Sequence, residues 1–126
     1  MAVLSYKDLL IWQKGIDLAV DVYQLTKDFP EAEKYALSSQ IRRSASSISA
    51  NIAEGYGRNS TKSYSQFIKI SRGSLYELET HIILAEKLGY LCAEELLIKI
   101  KSQIQEESKM LTAFIKKLEK KDLTVL

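Results

Sequence analysis

Few side chains in this chain could do chemistry, and their spacing argues against most of what they could do. The one histidine, His81, lies in Glu77-Leu-Glu-Thr-His81. A di-metal bundle places Glu three residues before His, and Leu78 occupies that position here. No second histidine or cysteine stands at ligand spacing, so the sequence predicts no metal and no cofactor. The segment Gly57-Arg-Asn-Ser-Thr-Lys-Ser63 has the outline of a phosphate loop. No glycine precedes Lys62, however, and the segment follows a predicted helix where that motif follows a strand. Arg42-Arg-Ser-Ala-Ser46 has the form of a kinase target, but its serines fall inside a packing helix. One cysteine and one histidine give a nucleophilic triad little support. No enzymatic activity is expected.

What remains is a polar stripe. Ser44, Ser47, Asn51, Glu54 and Arg58 recur at spacings of three, four, three and four. They lie beside an apolar line of Ile41, Ala45, Ile48, Ile52 and Gly55 on the same helix. Small polar residues let a second backbone come close, and beside a core they need hydrogen-bond partners. The stripe therefore reads as a packing and pairing surface. Glu77 lies in line with Ile70, Ser74 and His81. Asn51, Glu54, Arg58 and Glu77 are accordingly expected to form a structural polar network. In it Glu54 and Glu77 would be at least partly buried and would meet Arg43, Arg58 or Arg72, within or between subunits.

Charge is unevenly spread. Residues 40–74 carry six cations against Glu54 alone, a local charge of +5 in a chain whose net charge is +2. All four arginines (42, 43, 58 and 72) fall there, and every other cation is lysine. Arginine suits bidentate pairing with carboxylate or phosphate. Two readings follow: Arg42, Arg43, Lys62, Lys69 and Arg72 contact nucleic-acid phosphates, or the arginines are consumed in structural pairs. No aromatic-studded groove or recognition-helix pattern is visible along the chain, so the binding expected is weak, sequence-tolerant and salt-dependent.

These residues need helices to position them. Apolar periodicity predicts four, at about Asp8–Thr26, Leu37–Tyr56, Thr61–Leu88 and Ala93–Lys120, with a short turn after Pro30. Gly55-Tyr-Gly57 offers left-handed geometry to end the second, and Gly89-Tyr90 ends the third. Asn59, Ser60 or Thr61 can cap the third. In the first helix Trp12, Ile16, Ala19 and Tyr23 form the main apolar line, with Leu18, Val22 and Leu25 on a second. The third adds Ile70, Tyr76 and Ile83 to its core line. Such wide apolar arcs mean either deep burial or an oligomer interface, and the interface is favoured because every helix of a small bundle keeps one face outside.

Short connections make the fold an all-α, up-down-up-down antiparallel four-helix bundle, one domain over 1–126. The 126 residues are enough for one core, and five glycines and one proline are too few for a β-sandwich. No apolar run approaches the roughly 20 residues needed to span a bilayer. The start lacks the basic and apolar regions of a signal peptide. A lone cysteine, Cys92, excludes an internal disulfide, so a cytoplasmic location is expected.

Trp12-Gln-Lys, Phe29-Pro-Glu-Ala-Glu-Lys-Tyr, Gln40-Ile-Arg-Arg-Ser, Ser47-Ile-Ser-Ala-Asn-Ile-Ala-Glu-Gly55 and Leu88-Gly-Tyr90 resemble the four-helix-bundle family of 23S rRNA intervening-sequence proteins. Arg58, Tyr64, Phe67, Gly73-Ser74 and Glu77 extend the likeness, which runs in order from about residue 7 to 115. Members are similar to the accessory variability protein of diversity-generating retroelements, a basic pentameric barrel that binds nucleic acid and a reverse transcriptase. The resemblance implies a bacterial, non-enzymatic protein, a homopentamer; the lack of a long apolar run adds the expectation of no membrane partner. The partners it implies are RNA or DNA and a reverse transcriptase or other protein. The competing reading is an interaction scaffold with no nucleic-acid role.

Overall fold

The computed structural model describes the backbone of residues 3–125 and side chains through Lys121. Met1, Ala2 and Leu126, which the expected 1–126 domain includes, lie outside the described residues. Among the described residues four α-helices form: α1 (Leu10–Thr26), α2 (Leu37–Tyr56), α3 (Thr61–Lys87) and α4 (Glu94–Val125). Single 3-10 turns at Tyr6–Asp8 and Glu31–Glu33 precede α1 and α2.

The ends follow local chemistry. Ser5 and Asp8 make a capping box ahead of α1. Ser60 caps α3, its hydroxyl accepting from the Ser63 amide at 3.1 Å. At the far end of α3, Gly89 takes φ +78, Gly89 N–H donates to the Glu86 carbonyl, and Tyr90 N–H to the Ala85 carbonyl. That is a Schellman ending. The expectation for Gly55-Tyr-Gly57 fails. Gly57 closes α2 at φ −79, in right-handed geometry. Gly55 is needed for a different reason, because a Cβ there would lie 2.8 Å from the Phe67 Cβ and 3.0 Å from the Tyr64 ring.

Every helix runs antiparallel to its sequence neighbours, and α4 closes on α1. Along α2 and α3, Ser44 faces Glu77, Ser47 faces Ser74, and Ser71 donates to the Ile48 carbonyl. Along α1 and α4, Lys14 pairs with Glu106, and Asp21 with Lys99 and Gln103. The core holds Leu18, Val22, Ile41, Ile48, Ile52, Ile68, Leu75, Leu78, Ile100 and Leu111, all fully buried.

On α1 the expected faces are exchanged. Ile11, Leu18, Val22 and Leu25 are the core line, whereas Ile16 and Tyr23 are 39% and 43% exposed. Gly15 explains the choice. It lies on the buried line, and a Cβ there would meet Ser49 Oγ of α2 and come within 3.2 Å of Glu107 Oε2 of α4. Only the face carrying Gly15 lets α1 come that close to its neighbours. On α3 the extra line of Ile70, Tyr76 and Ile83 is exposed, as expected. Among the described residues no helix is long and apolar enough to cross a membrane.

Candidate nucleic-acid interface

The expected phosphate contacts do not form one patch. Arg42 is turned inward over the end of α1. Its Nε donates to Thr26 Oγ1 at 2.8 Å, its Nη2 to the Tyr23 carbonyl at 3.3 Å, and its guanidinium lies 4.8 Å from the Tyr23 ring centroid. A cation on the last carbonyls of a helix satisfies orphan acceptors and meets the negative end of the helix dipole. Arg72 Nη1 donates to Thr112 Oγ1 at 3.3 Å, tying α3 to α4. Lys69 pairs with Glu119 at 2.8 Å. Arg43 and Lys62 are exposed and make no side-chain hydrogen bond or ion pair among the described residues. Arg42 and the end of α2 at Tyr56, which leads to Lys62, are about 21 Å apart at a helical rise of about 1.5 Å per residue.

The polar stripe of α2 divides in two. Its first part pairs across to α3. Ser44 Oγ lies 2.8 Å from Glu77 Oε1 and 2.9 Å from the Gln40 carbonyl, and Ser47 and Ser74 hydroxyls are 2.9 Å apart. Asn51 Nδ2 donates to the Ser47 carbonyl and hydroxyl at 2.8 and 2.9 Å. Its second part faces water. Among the described residues Glu54 and Arg58 pair only with each other, at 2.7 Å one turn apart, with side chains 56% and 43% exposed. Arg58 also covers the Phe67 ring at 4.5 Å. The expected burial of Glu54 and Glu77 is thus corrected. Both are exposed, and Glu77 meets Ser44 where an arginine was expected. They stand on the outer flank of the α2–α3 seam, where water solvates a carboxylate without any burial cost.

Sequence reasoning does not single out Glu107, which is 1% exposed with no hydrogen-bond partner for either oxygen among the described residues. Burial, then the neighbouring Glu106, pushes its carboxyl up from 4.5 to about 8, with Lys14 opposing. The signal was in the register, since Glu107 falls on the core line of Ile100, Ile104, Leu111, Ile115 and Leu118. Among the described residues, no three His, Cys, Asp or Glu side chains gather where they could hold a metal ion.

Aromatic residues form a grouping that no local stretch of sequence displays. Trp12, Tyr6, Tyr56, Tyr64 and Phe114 follow one another with ring centroids 5.4, 6.4, 6.4 and 5.3 Å apart, all near edge-to-face. They come from a 3-10 turn and all four helices, at the end where α2 stops and α3 starts. Burial pushes the Tyr64 phenol up to about 12.

Residues 7–113 match the model of the 23S rRNA-intervening sequence proteins. The chain belongs to this family. A solved structure of a family relative agrees with the bundle: a protein of unknown function from the S23 ribosomal protein family of Bacteroides thetaiotaomicron VPI-5482. It is 26% identical, with a TM-score of 0.74 over 85% of this chain and 99% of that one. No curated protein matches the chain. Within this intervening-sequence fold, the seam of Ser44, Ser47 and Asn51 is architecture, and of the five expected phosphate contacts Arg43 and Lys62 are the two without a side-chain hydrogen bond or ion pair among the described residues.

Proposed function

We propose that this family member is a non-enzymatic, homo-oligomeric protein of the bacterial cytoplasm that binds RNA or DNA through phosphate contacts. The observation that carries the reading is the +5 of residues 40–74 together with Arg43 and Lys62, both exposed and without an ion-pair partner among the described residues. Oligomerisation would repeat these cations around one rigid body, so that individually feeble contacts act together. The exposed apolar faces of α1 (Ile16, Val20, Tyr23) and α3 (Ile70, Tyr76, Ile83) support self-association. A pentamer is the number that the resemblance to the accessory variability protein implies.

Titration of structured RNA and duplex DNA at several salt concentrations tests the reading. Counterion release predicts a steep loss of affinity with salt, and a shallower slope for Arg43→Glu combined with Lys62→Glu. Light scattering behind a sizing column should give about five times the 14.3 kDa chain mass; a monomer at micromolar concentration sinks the oligomer.

One observation favours a second reading. Ile16, Ala19, Val20 and Tyr23 line a hollow of about 480 Å³ between α1 and Ser46 of α2. An interaction scaffold would use it for a protein partner, a reverse transcriptase being the one the resemblance implies. Absence of nucleic-acid binding even at low salt would favour that account.

A further inference from the structure

The chain of rings ends in an open hollow of about 580 Å³ lined by Tyr64, Ala113, Phe114, Lys117, Leu118 and Lys121. On the other side of Leu118 a second hollow of about 200 Å³ is bordered by Lys62, Gln66 and Lys69. Leu118 lines both, so the aromatic hollow and the basic one are adjacent. Among the described residues the only acid lining either is Glu119, and Lys69 already holds it at 2.8 Å. An aromatic floor flanked by lysines suits a ligand with a flat apolar face and a negative charge beside it. The larger hollow is within the size range of small-ligand sites.

A nucleobase with its phosphates has that chemistry. Every base carries a π-face, so stacking on aromatic rings is tolerant of sequence, and lysine ammonium groups track the backbone. Bases in a duplex have both faces covered and cannot reach such a floor; unpaired ones can. We propose that this end of the bundle seats an unpaired base of a single strand against Tyr64 and Phe114, with the flanking phosphates on Lys62 and Lys117. The proposal rests on the nucleic-acid reading above and adds the class of strand. It also accounts for the placement of cations that the arginine-rich α2 leaves unexplained, since Lys62 lies at this end and Arg42 is occupied at the other.

Anisotropy with a labelled single-stranded oligonucleotide, the same strand made abasic, and a duplex tests it on the full-length protein. The intact strand should bind between about 5-fold and 100-fold more tightly than the abasic strand, with the same salt slope. Phe114→Leu should close that gap while leaving abasic binding unchanged, and Lys62→Glu should weaken both strands equally. The intact-against-abasic comparison on the unaltered protein needs no variant to fold. Equal affinity for the two strands overturns the stacking seat and leaves phosphate binding standing. A preference for the intact strand that survives in folded Phe114→Leu overturns the assignment to this hollow. No binding of any nucleic acid at low salt overturns both this inference and the reading beneath it.

Discussion

Two layers of the bundle bring polar side chains against its apolar core, and they differ in what those side chains can ask of a helix. Along the α2–α3 seam they are hydroxyls and an amide: Ser44, Ser47, Asn51, Ser71 and Ser74. Each is a donor, and a helix interior offers carbonyl lone pairs, so Ser44 finds Gln40, Asn51 finds Ser47 and Ser71 finds Ile48. In the layer of Gly15, Ser49 and Glu107 the entering group is a carboxyl. Ionised, it can only accept, and the surrounding N–H groups are spent within their own helices. Ser49 gives its proton to the Trp12 carbonyl at 2.9 Å, and Lys14 is drawn to Glu106 at 2.7 Å. The Glu107 carboxyl is left unpartnered. In these two layers, then, the bundle absorbs the small donors and leaves the carboxyl unpaired.

The largest expected effect breaks the comparison at Glu107. Its folded value, about 8, lies above the ordinary 4.5. Stability from this group is therefore fully present below about pH 4.5 and lost as pH rises through about 8. The shift corresponds to on the order of 3–5 kcal/mol. Urea unfolding should show the protein less stable at pH 9 than at pH 5, and Glu107→Gln should flatten the difference. Identical pH profiles for the two proteins would place the sensitivity elsewhere.

Next comes the close approach in the same layer. Gly15→Ala gains up to about 1 kcal/mol of helix propensity. The new Cβ meets Ser49 Oγ, and a net destabilisation of about 1–3 kcal/mol is expected. Ser49→Ala should relieve part of it, which a double-mutant cycle measures as coupling; strict additivity would mean that the two positions do not touch.

On the seam the effects are smaller. Ser47→Ala strips a partner from both Ser74 and Asn51, and a loss of about 0.5–1.5 kcal/mol is expected in chemical denaturation. A neutral result would show water replacing the hydroxyl at this half-buried position. Smallest is Glu54→Ala, which removes an exposed pair one turn long and should cost less than about 0.5 kcal/mol. A larger loss would mean that Glu54 is covered in an assembly.

The contrast marks how far the residue pattern reaches. Periodicity located α2 at its observed limits and the other ends within one or two residues, because apolar spacing and end chemistry are local, except that α4 runs on to Val125, past the expected Lys120. A cap among Asn59, Ser60 and Thr61 and a stop at Gly89 were legible for the same reason, and the structure chose Ser60. The seam's small polar residues were legible as pairing groups, since donors beside a core must be satisfied, although Ser44, Ser47 and Asn51 pair and Glu54 does not. The Glu107 carboxyl was visible only as a break in a core line.

By itself the sequence determined the four helices, their alternation and the family, since each depends on spacing or motif within short stretches. Tertiary structure alone decided which face of α1 turned inward. Two apolar arcs compete there, and the choice falls to the contact that Gly15 permits with α2 and α4. It decided that Arg42 would be spent on the end of α1 and Lys62 left exposed, because a cation's freedom depends on which acceptors the packing brings within reach. It also assembled Tyr6, Trp12, Tyr56, Tyr64 and Phe114 into one row of rings. These residues are scattered over more than a hundred positions, and only antiparallel packing brings that end of every helix together.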